Sequence, residues 1–225
     1  MGARAQAAER TQRAILDAAA ALFWERDPDQ ITLEEIAERA GVTLQTVLRR
    51  FGSKDAVFAA SAEVKSAEVA RSREPERAGD RAGALRALFA SYERIGEVNW
   101  RLLRFEGQHP VLRGILVEAR ARHRDWIART FAELLPRSGA ERERRIDALF
   151  TVTDFYVWKL YRTDLGHGRA ATEAHILALL DAVIRRFEED LRSPGTRASS
   201  TSRPSRARQA ASPPRSPATS PAIAP

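Results

Sequence analysis

ITLEEIAERAGVTLQTVLRRFGSKDAVF, residues Ile31 to Phe58, is the stretch whose reading decides the fold. Thr32 followed by Glu35 is the T-x-x-E pattern of a capping box, so a helix is expected to begin there. Ile31 and Ile36 stand where a hydrophobic staple would. Ile36, Ala37 and Ala40 give this helix one small apolar face. Gly41 should end it, because the position just past a helix favours a left-handed backbone that glycine adopts without steric cost. Val42 can plug the space under the turn, and Thr43 can cap a second helix, Leu44 to Arg50. Val47 lies ten residues past Ala37, a spacing that lets two crossing helices touch. Phe51 is expected to anchor the end of the second helix in the core. Gly52, Ser53 and Lys54 then supply the next stop, cap and start. The pattern is that of a helix-turn-helix, whose second helix lies in the DNA major groove.

Composition bounds what surrounds the motif. A chain of 225 residues with 44% hydrophobic content has room for one or two compact domains. Cysteine is absent. That excludes disulfides and thiolate metal sites, and fits a reducing cytosol. The opening MGARAQAAER lacks the apolar core of a signal peptide. No run approaches the roughly 18 apolar residues of a membrane span. The expectation is a cytoplasmic protein with no membrane partner. The net charge of +7 misleads, since residues 193–225 hold five arginines and no acid. Residues 1–60 carry 8 Lys+Arg against 9 Asp+Glu, a net of −1. Nucleic-acid binding must therefore rest on where the charges stand: Arg4, Arg10 and Arg13 at the amino end, and Arg49, Arg50 and Lys54 around the second helix.

The rest of the chain reads as helices throughout, an all-α fold. Residues 1–9 are expected to be a flexible polar arm. A helix from about Glu9 to Arg26 carries Ile15, Ala18, Ala19, Leu22 and Phe23 on one stripe. A further helix from Lys54 toward Arg73, with Val57, Phe58 and Val64, should bridge the head to the remainder. Breakers from Glu74-Pro75-Glu76 to Gly79-Asp80 predict a loop. Helices are then expected at about 82–95, 98–107, 110–135, 140–164 and 170–191. Ile176, Leu180, Val183, Ile184, Phe187 and Leu191 form the last one's apolar stripe. In the 140–164 segment, Ile146, Phe150, Thr153, Val157, Leu160 and Tyr161 form one stripe. Phe155 projects about 180° and Trp158 about 120° away from it at ~100° per residue. Such a helix should meet neighbours on two sides. Residues 193–225, with seven prolines, are predicted to be disordered.

The string T-L-E-E-I-A-E-R-A-G-V-T-x-x-T-V-x-x-x-F-G-S-K-D-x-x-F resembles the DNA-binding domain of the tetracycline-repressor (TetR/AcrR) family. The likeness covers about residues 10–60. Its A-G-V, Thr46 and F-G-S-K elements are more specific than a generic helix-turn-helix. Leu48 departs from it: many members carry there a tyrosine whose hydroxyl reaches a DNA phosphate, and leucine cannot. Arg50 likewise replaces a frequent histidine or tyrosine. The resemblance implies a helix-turn-helix head at 10–60 and a helical ligand-binding and dimerisation domain at 61–192. It also implies a homodimer through the last two helices and a ligand cavity among the aromatics of the second half. It identifies the chain as a sequence-specific transcriptional regulator, a repressor released from a near-palindromic DNA operator by a small apolar or aromatic effector. The competing reading is a helical DNA-binding or protein-interaction module with no effector pocket.

Within the motif, Thr43, Leu44, Gln45 and Thr46 are the candidate base readers. Gln45 is the best equipped, because an amide can pair bidentately with adenine. Thr32, Leu48, Arg49, Arg50 and Lys54 complete the expected DNA surface, the cations serving phosphates. The candidate pocket residues are Trp100, Phe105, His123, Trp126, Phe155 and Trp158. His109, ahead of Pro110, reads as a cap or loop residue. His167 and His175 lack metal-pair spacing. No catalytic constellation, phosphate loop, metal site or cofactor is indicated, so no enzyme activity is expected.

Overall fold

The computed structural model describes residues 2–73 and 80–192, with side chains as far as Asp190. The loop expected over 74–79 and the tail expected over 193–225 lie outside the described residues. Among the described residues every regular element is helical. The amino end differs from expectation: α1 spans Ala3–Glu25, so the arm is helical from its third residue. Alanine and arginine in that stretch are strong helix formers, and they extend the helix backwards from its buried part.

The head follows its sequence signals closely. Helix α2, Leu33–Arg39, starts with both halves of the capping box. Thr32 N donates to Glu35 Oε2 at 2.9 Å, and Glu35 N donates to Thr32 Oγ1 at 3.2 Å. It ends with Gly41 at φ +66°. There Val42 N donates to Ala37 O and Gly41 N to Glu38 O, the paired bonds of a Schellman stop. Helix α3, Leu44–Phe51, is capped by Thr43, and Gly52 closes it at φ +79°. Ala37 and Val47, the pair read from the sequence for the crossing of α2 and α3, are both buried in the head's core. Ile15, Ala19, Ile31, Ile36, Val57 and Phe58 fill the space between α1, the turn and α4, Lys54–Arg73. Phe51 only borders this core and stays half-exposed.

In the body, α5 runs unbroken over Arg81–Phe105, where two helices were expected. Gly96 does not interrupt it; a Cβ there would meet Phe155 at an ordinary 3.7 Å. Helix α6, Pro110–Thr130, starts with proline in its first turn as expected. The 140–164 segment is not one helix. Helix α7, Ala140–Thr153, stops at Asp154, whose backbone is extended at ψ 151°. The Asp154 carboxylate then caps α8, Phe155–Lys159, by accepting from Tyr156 N at 2.9 Å. A turn of wider π-type helix, Leu160–Asp164, follows. Helix α9, Arg169–Arg192, closes the described chain.

The break at Asp154 removes the reason given for a two-sided helix. It swings Phe155 and Trp158 into the body's own core, where Trp158 stacks on Phe89 at 5.2 Å. On α9, Ile176, Leu180 and Phe187 are buried while Val183 and Ile184 are half-buried. Helix α9 packs mainly on α7.

The corner between α5 and α6 crosses the boundary expected near residue 60. Leu112, from the first turns of α6, is fully buried within the head's core, and Leu102, Phe105, Val111 and Ile115 pack around it. Leu112→Ala should therefore destabilise the protein by about 2–5 kcal/mol as a core truncation. Urea unfolding would measure this, and a loss below about 0.5 kcal/mol, the size of an ordinary surface change, would contradict the shared core.

Candidate DNA-binding surface and ligand cavity

The amino-terminal half of α3 is presented outward. Thr43 and Gln45 are exposed, Leu44 and Thr46 half-buried. The Thr43 and Thr46 hydroxyls lie 2.9 Å apart, so one hydroxyl hydrogen is spent between them. Arg49 is exposed in the last turn, and Leu48 is half-buried. Half-buried Arg50 keeps a buried Nε with no hydrogen-bond partner. Gln45 and Arg49 project from a rigid scaffold whose polar termini are already satisfied by caps. Thr32 is exposed at the start of α2, with its hydroxyl engaged in the capping box.

Two cations are less available than the sequence suggested. The Lys54 ammonium donates to Pro28 O at 3.1 Å and Ile31 O at 3.0 Å, bracing the turn between α1 and α2. Those carbonyls point inward from an irregular connection, and a long flexible side chain is what reaches them. The guanidinium of Arg13 pairs with Asp17 and Glu68, tying α1 to α4.

A cavity of about 560 Å³ opens where head and body meet. Phe23 and Phe58 of the head's core wall it on one side, and Tyr92, Trp126 and Phe155 of the body's core on the other. Helix α4 contributes Ser61, Lys65, Val69 and Arg73, and α5 contributes Val98, Asn99 and Leu102. Of the six expected pocket residues, His123, Trp126 and Phe155 line it. Trp100 instead lies beneath the Lys159 ammonium, 4.1 Å from its ring centroid. Phe105 packs against the head's core. Trp158 is enclosed between Phe89 and Tyr92 in the body. An aromatic count drew attention to the body's centre, whereas the space lies along α4, whose lining residues are small or polar and carry no aromatic signal beyond Phe58.

His123 is the most perturbed group on this wall. Its Nε2 lies 3.0 Å from Thr153 Oγ1, whose own hydrogen goes to Leu149 O at 2.8 Å. Thr153 therefore accepts, and the network assigns the proton to Nε2. The imidazole Nδ1 is left as a buried acceptor without a partner, and the adjacent Trp126 Nε1 is a buried donor without one. The two rings stack at 5.4 Å. Burial, with help from the nearby Arg73 charge, lowers the His123 pKa to about 3. Burial also raises Asp154 above the usual carboxylate range.

These features describe a helix-turn-helix head that shares its core with a larger body, helical throughout the described residues. Residues 15–61 match the family model for bacterial regulatory proteins of the tetR family. The head thus resembles the amino-terminal domain of that family, and the chain as a whole shares the fold of solved TetR-family transcriptional regulators. No curated protein sequence matches it. Among solved structures, a tetR-family transcriptional regulator from Streptomyces coelicolor is 20% identical, with a TM-score of 0.63 over 84% of this chain and 91% of that one. A transcriptional regulator from Rhodococcus sp. Rha1 is 22% identical, with a TM-score of 0.54 over 80% and 95%. A SmeT–triclosan complex is 22% identical, with a TM-score of 0.55 over 78% and 90%. SmeT is the repressor of a Stenotrophomonas maltophilia multidrug efflux pump.

Two measurements check the side-chain assignments. Gln45→Ala should lose roughly 1–3 kcal/mol of discrimination at one base position, while Arg49→Ala should weaken all sequences alike and reduce the salt slope by about 1. Binding curves over single-base operator variants and a salt series separate the two, and unchanged selectivity in Gln45→Ala would contradict its role. For His123, the sign follows from its neutral folded form. Below about pH 6.5 the unfolded chain takes up a proton that the folded site refuses until about pH 3, so stability falls as pH falls across that window. Its contribution has a limiting slope of about 1.4 kcal/mol per pH unit. His123→Gln should flatten the pH dependence measured by urea unfolding, and parallel curves would show that His123 is not buried neutral.

Proposed function

We propose that this protein is a homodimeric, ligand-responsive transcriptional repressor acting in the cytoplasm, and not an enzyme. Its partners on this reading are double-stranded DNA bearing a near-palindromic operator, a second copy of itself, and a small apolar or aromatic effector. The observation that carries it is the place of the cavity. Its wall includes Phe23 and Phe58 of the DNA-binding head together with α4, the helix joining head to body. A molecule lodged there touches both units, so it can favour one head orientation over another, the condition for a ligand to shift an equilibrium. The triclosan complex of SmeT, similar in fold at low identity, supports a ligand-binding use of the body.

In this proposal Thr43, Leu44, Gln45 and Thr46 face base edges. Thr32, Leu48, Arg49 and Arg50 lie along the backbone, with Lys54 holding the turn behind them. The two recognition helices of the dimer enter major grooves about one helical turn apart. The dimer face is assigned to the outer side of α9 and the turn before it. Leu160, Leu165, Leu177 and Leu179 are exposed there. The exposed Ala171, Ala174, Ala178 and Ala182 form a small-residue stripe along α9 that lets another helix approach closely.

Selection of bound fragments from genomic DNA tests the DNA half. Recovery of a repeated near-palindrome is expected, and recovery without sequence preference would contradict it. Sedimentation tests the dimer. Ala178→Arg should shift the protein toward monomer and weaken binding to the selected fragments, whereas an unchanged dimer would place the interface elsewhere.

A further inference from the structure

One end of the cavity is not accounted for by its apolar walls. Arg73, in the last turn of α4, is half-buried. Its Nε donates to Ser91 Oγ at 3.1 Å, and its guanidinium lies 5.2 Å from the Tyr92 ring centroid. Arg94, beside it, donates from Nη2 to Ser72 Oγ at 2.9 Å. Neither arginine has a carboxylate within ion-pair distance among the described residues. Other body arginines are served: Arg120 grips Glu106 with two bonds, at 2.5 and 2.7 Å, and Arg162 holds Glu93. Among the described residues the half-buried Arg73 guanidinium has only a hydroxyl and a ring for company, so its charge stays uncompensated where water is scarce, a costly arrangement that an incoming anion relieves, and Arg94 adds a second, exposed charge beside it.

The acids lining the cavity do not supply that anion. Glu68 is held by Arg13 and Lys65. Asp154 already accepts from the first turn of α8, with the Arg120 charge nearby. Also lining the cavity, His123 Nδ1 and Trp126 Nε1 offer an unpartnered acceptor and an unpartnered donor on stacked rings. We infer that the cavity takes a compact aromatic molecule bearing an anionic group, with the anion bound by Arg73 and Arg94 and the ring against Tyr92, Trp126 and Phe155. This rests on the reading of the cavity as an effector site and adds the effector's chemical class. It also assigns the coupling. Arg73 lies on the same helix as Lys54, which braces the head, so pairing with the anion acts directly on α4.

The test uses three probes with the same ring system: naphthaleneacetate, naphthaleneethanol and naphthaleneethylamine. Each is titrated calorimetrically into the full-length protein at low salt. The acid should bind about 10–100-fold more tightly than the alcohol or the amine, as expected for charge-assisted hydrogen bonds. Arg73→Gln should erase the acid's advantage over the alcohol, and continued binding of the alcohol reports an intact cavity. Equal binding of acid and alcohol to the wild-type protein, or a preference for the amine, would overturn the anionic class and leave the effector site standing. Should none of the three bind, the effector-site reading falls and this inference with it. The comparison on wild-type protein stands even if Arg73→Gln does not fold, and Arg73→Lys then serves as the second variant, with a reduced but retained preference for the acid.

Discussion

Arg101 reaches from α5 to the end of α1, and the relation of head to body depends on that reach. Its guanidinium donates to the carbonyl oxygens of Phe23 and Trp24 at 2.5 and 3.0 Å, two of the orphan acceptors that any helix end leaves behind. It also pairs with Asp27 at 3.2 Å, and Arg104 holds the other oxygen of that carboxylate at 2.9 Å. His109 meets Asp29 at 3.0 Å one turn further on. Together these contacts pin the α5–α6 corner beneath the connection from α1 to α2. Leu112 then fills the head's core from below. A head held this way cannot swivel freely on α4 alone; it moves with the corner or breaks a set of charge-assisted bonds.

The cavity gains its meaning from the same constraint. It lies beside the clasp, bounded by α4 on one side and by α5 and α6 on the other. On the proposed function, a ligand that spreads these helices changes where the corner holds the head. A ligand that draws them together fixes it. Either change reaches α3 through elements packed side by side, with no separate relay. The buried, neutral His123 and the half-buried Asp154 show how thoroughly the inner wall is withdrawn from water.

How much of this was written in the sequence differs from part to part. The head was legible in its caps, its turn and its helix crossing, though not at Phe51, which only borders the core. Caps, a glycine stop and the Ala37–Val47 crossing are local rules, and each is satisfied within a few residues of its signal. The body was legible as helices but not as an arrangement. Asp154 looked like one polar residue on a long amphipathic helix. Only the backbone shows that it acts as a cap and turns Phe155 and Trp158 into one core. The break expected between residues 95 and 98 is not there, and Gly96 in that gap costs a long packed helix only about 1 kcal/mol. The cavity was half legible. His123, Trp126 and Phe155 were found through their ring character, while α4's share of the wall was missed, since Ser61, Lys65, Val69 and Arg73 look like an ordinary helix surface. Lys54 was read as a free cation, yet it satisfies two backbone carbonyls more than twenty residues away, a contact that no local pattern encodes.

On the proposed function, two heads act as a pair whose spacing the seam between head and body controls. The absence of cysteine in the native chain makes a direct measurement possible. A spin label attached through Ala59→Cys, on the exposed side of α4, gives one probe per protomer, and pulsed dipolar spectroscopy reads the distance between the two. With selected operator DNA the account predicts a single narrow distribution, consistent with recognition helices about 34–36 Å apart. That distribution should shift or broaden when a ligand fills the cavity and the DNA is released. A sample with no dipolar coupling, or a distribution that stays the same with the cavity filled, would contradict it.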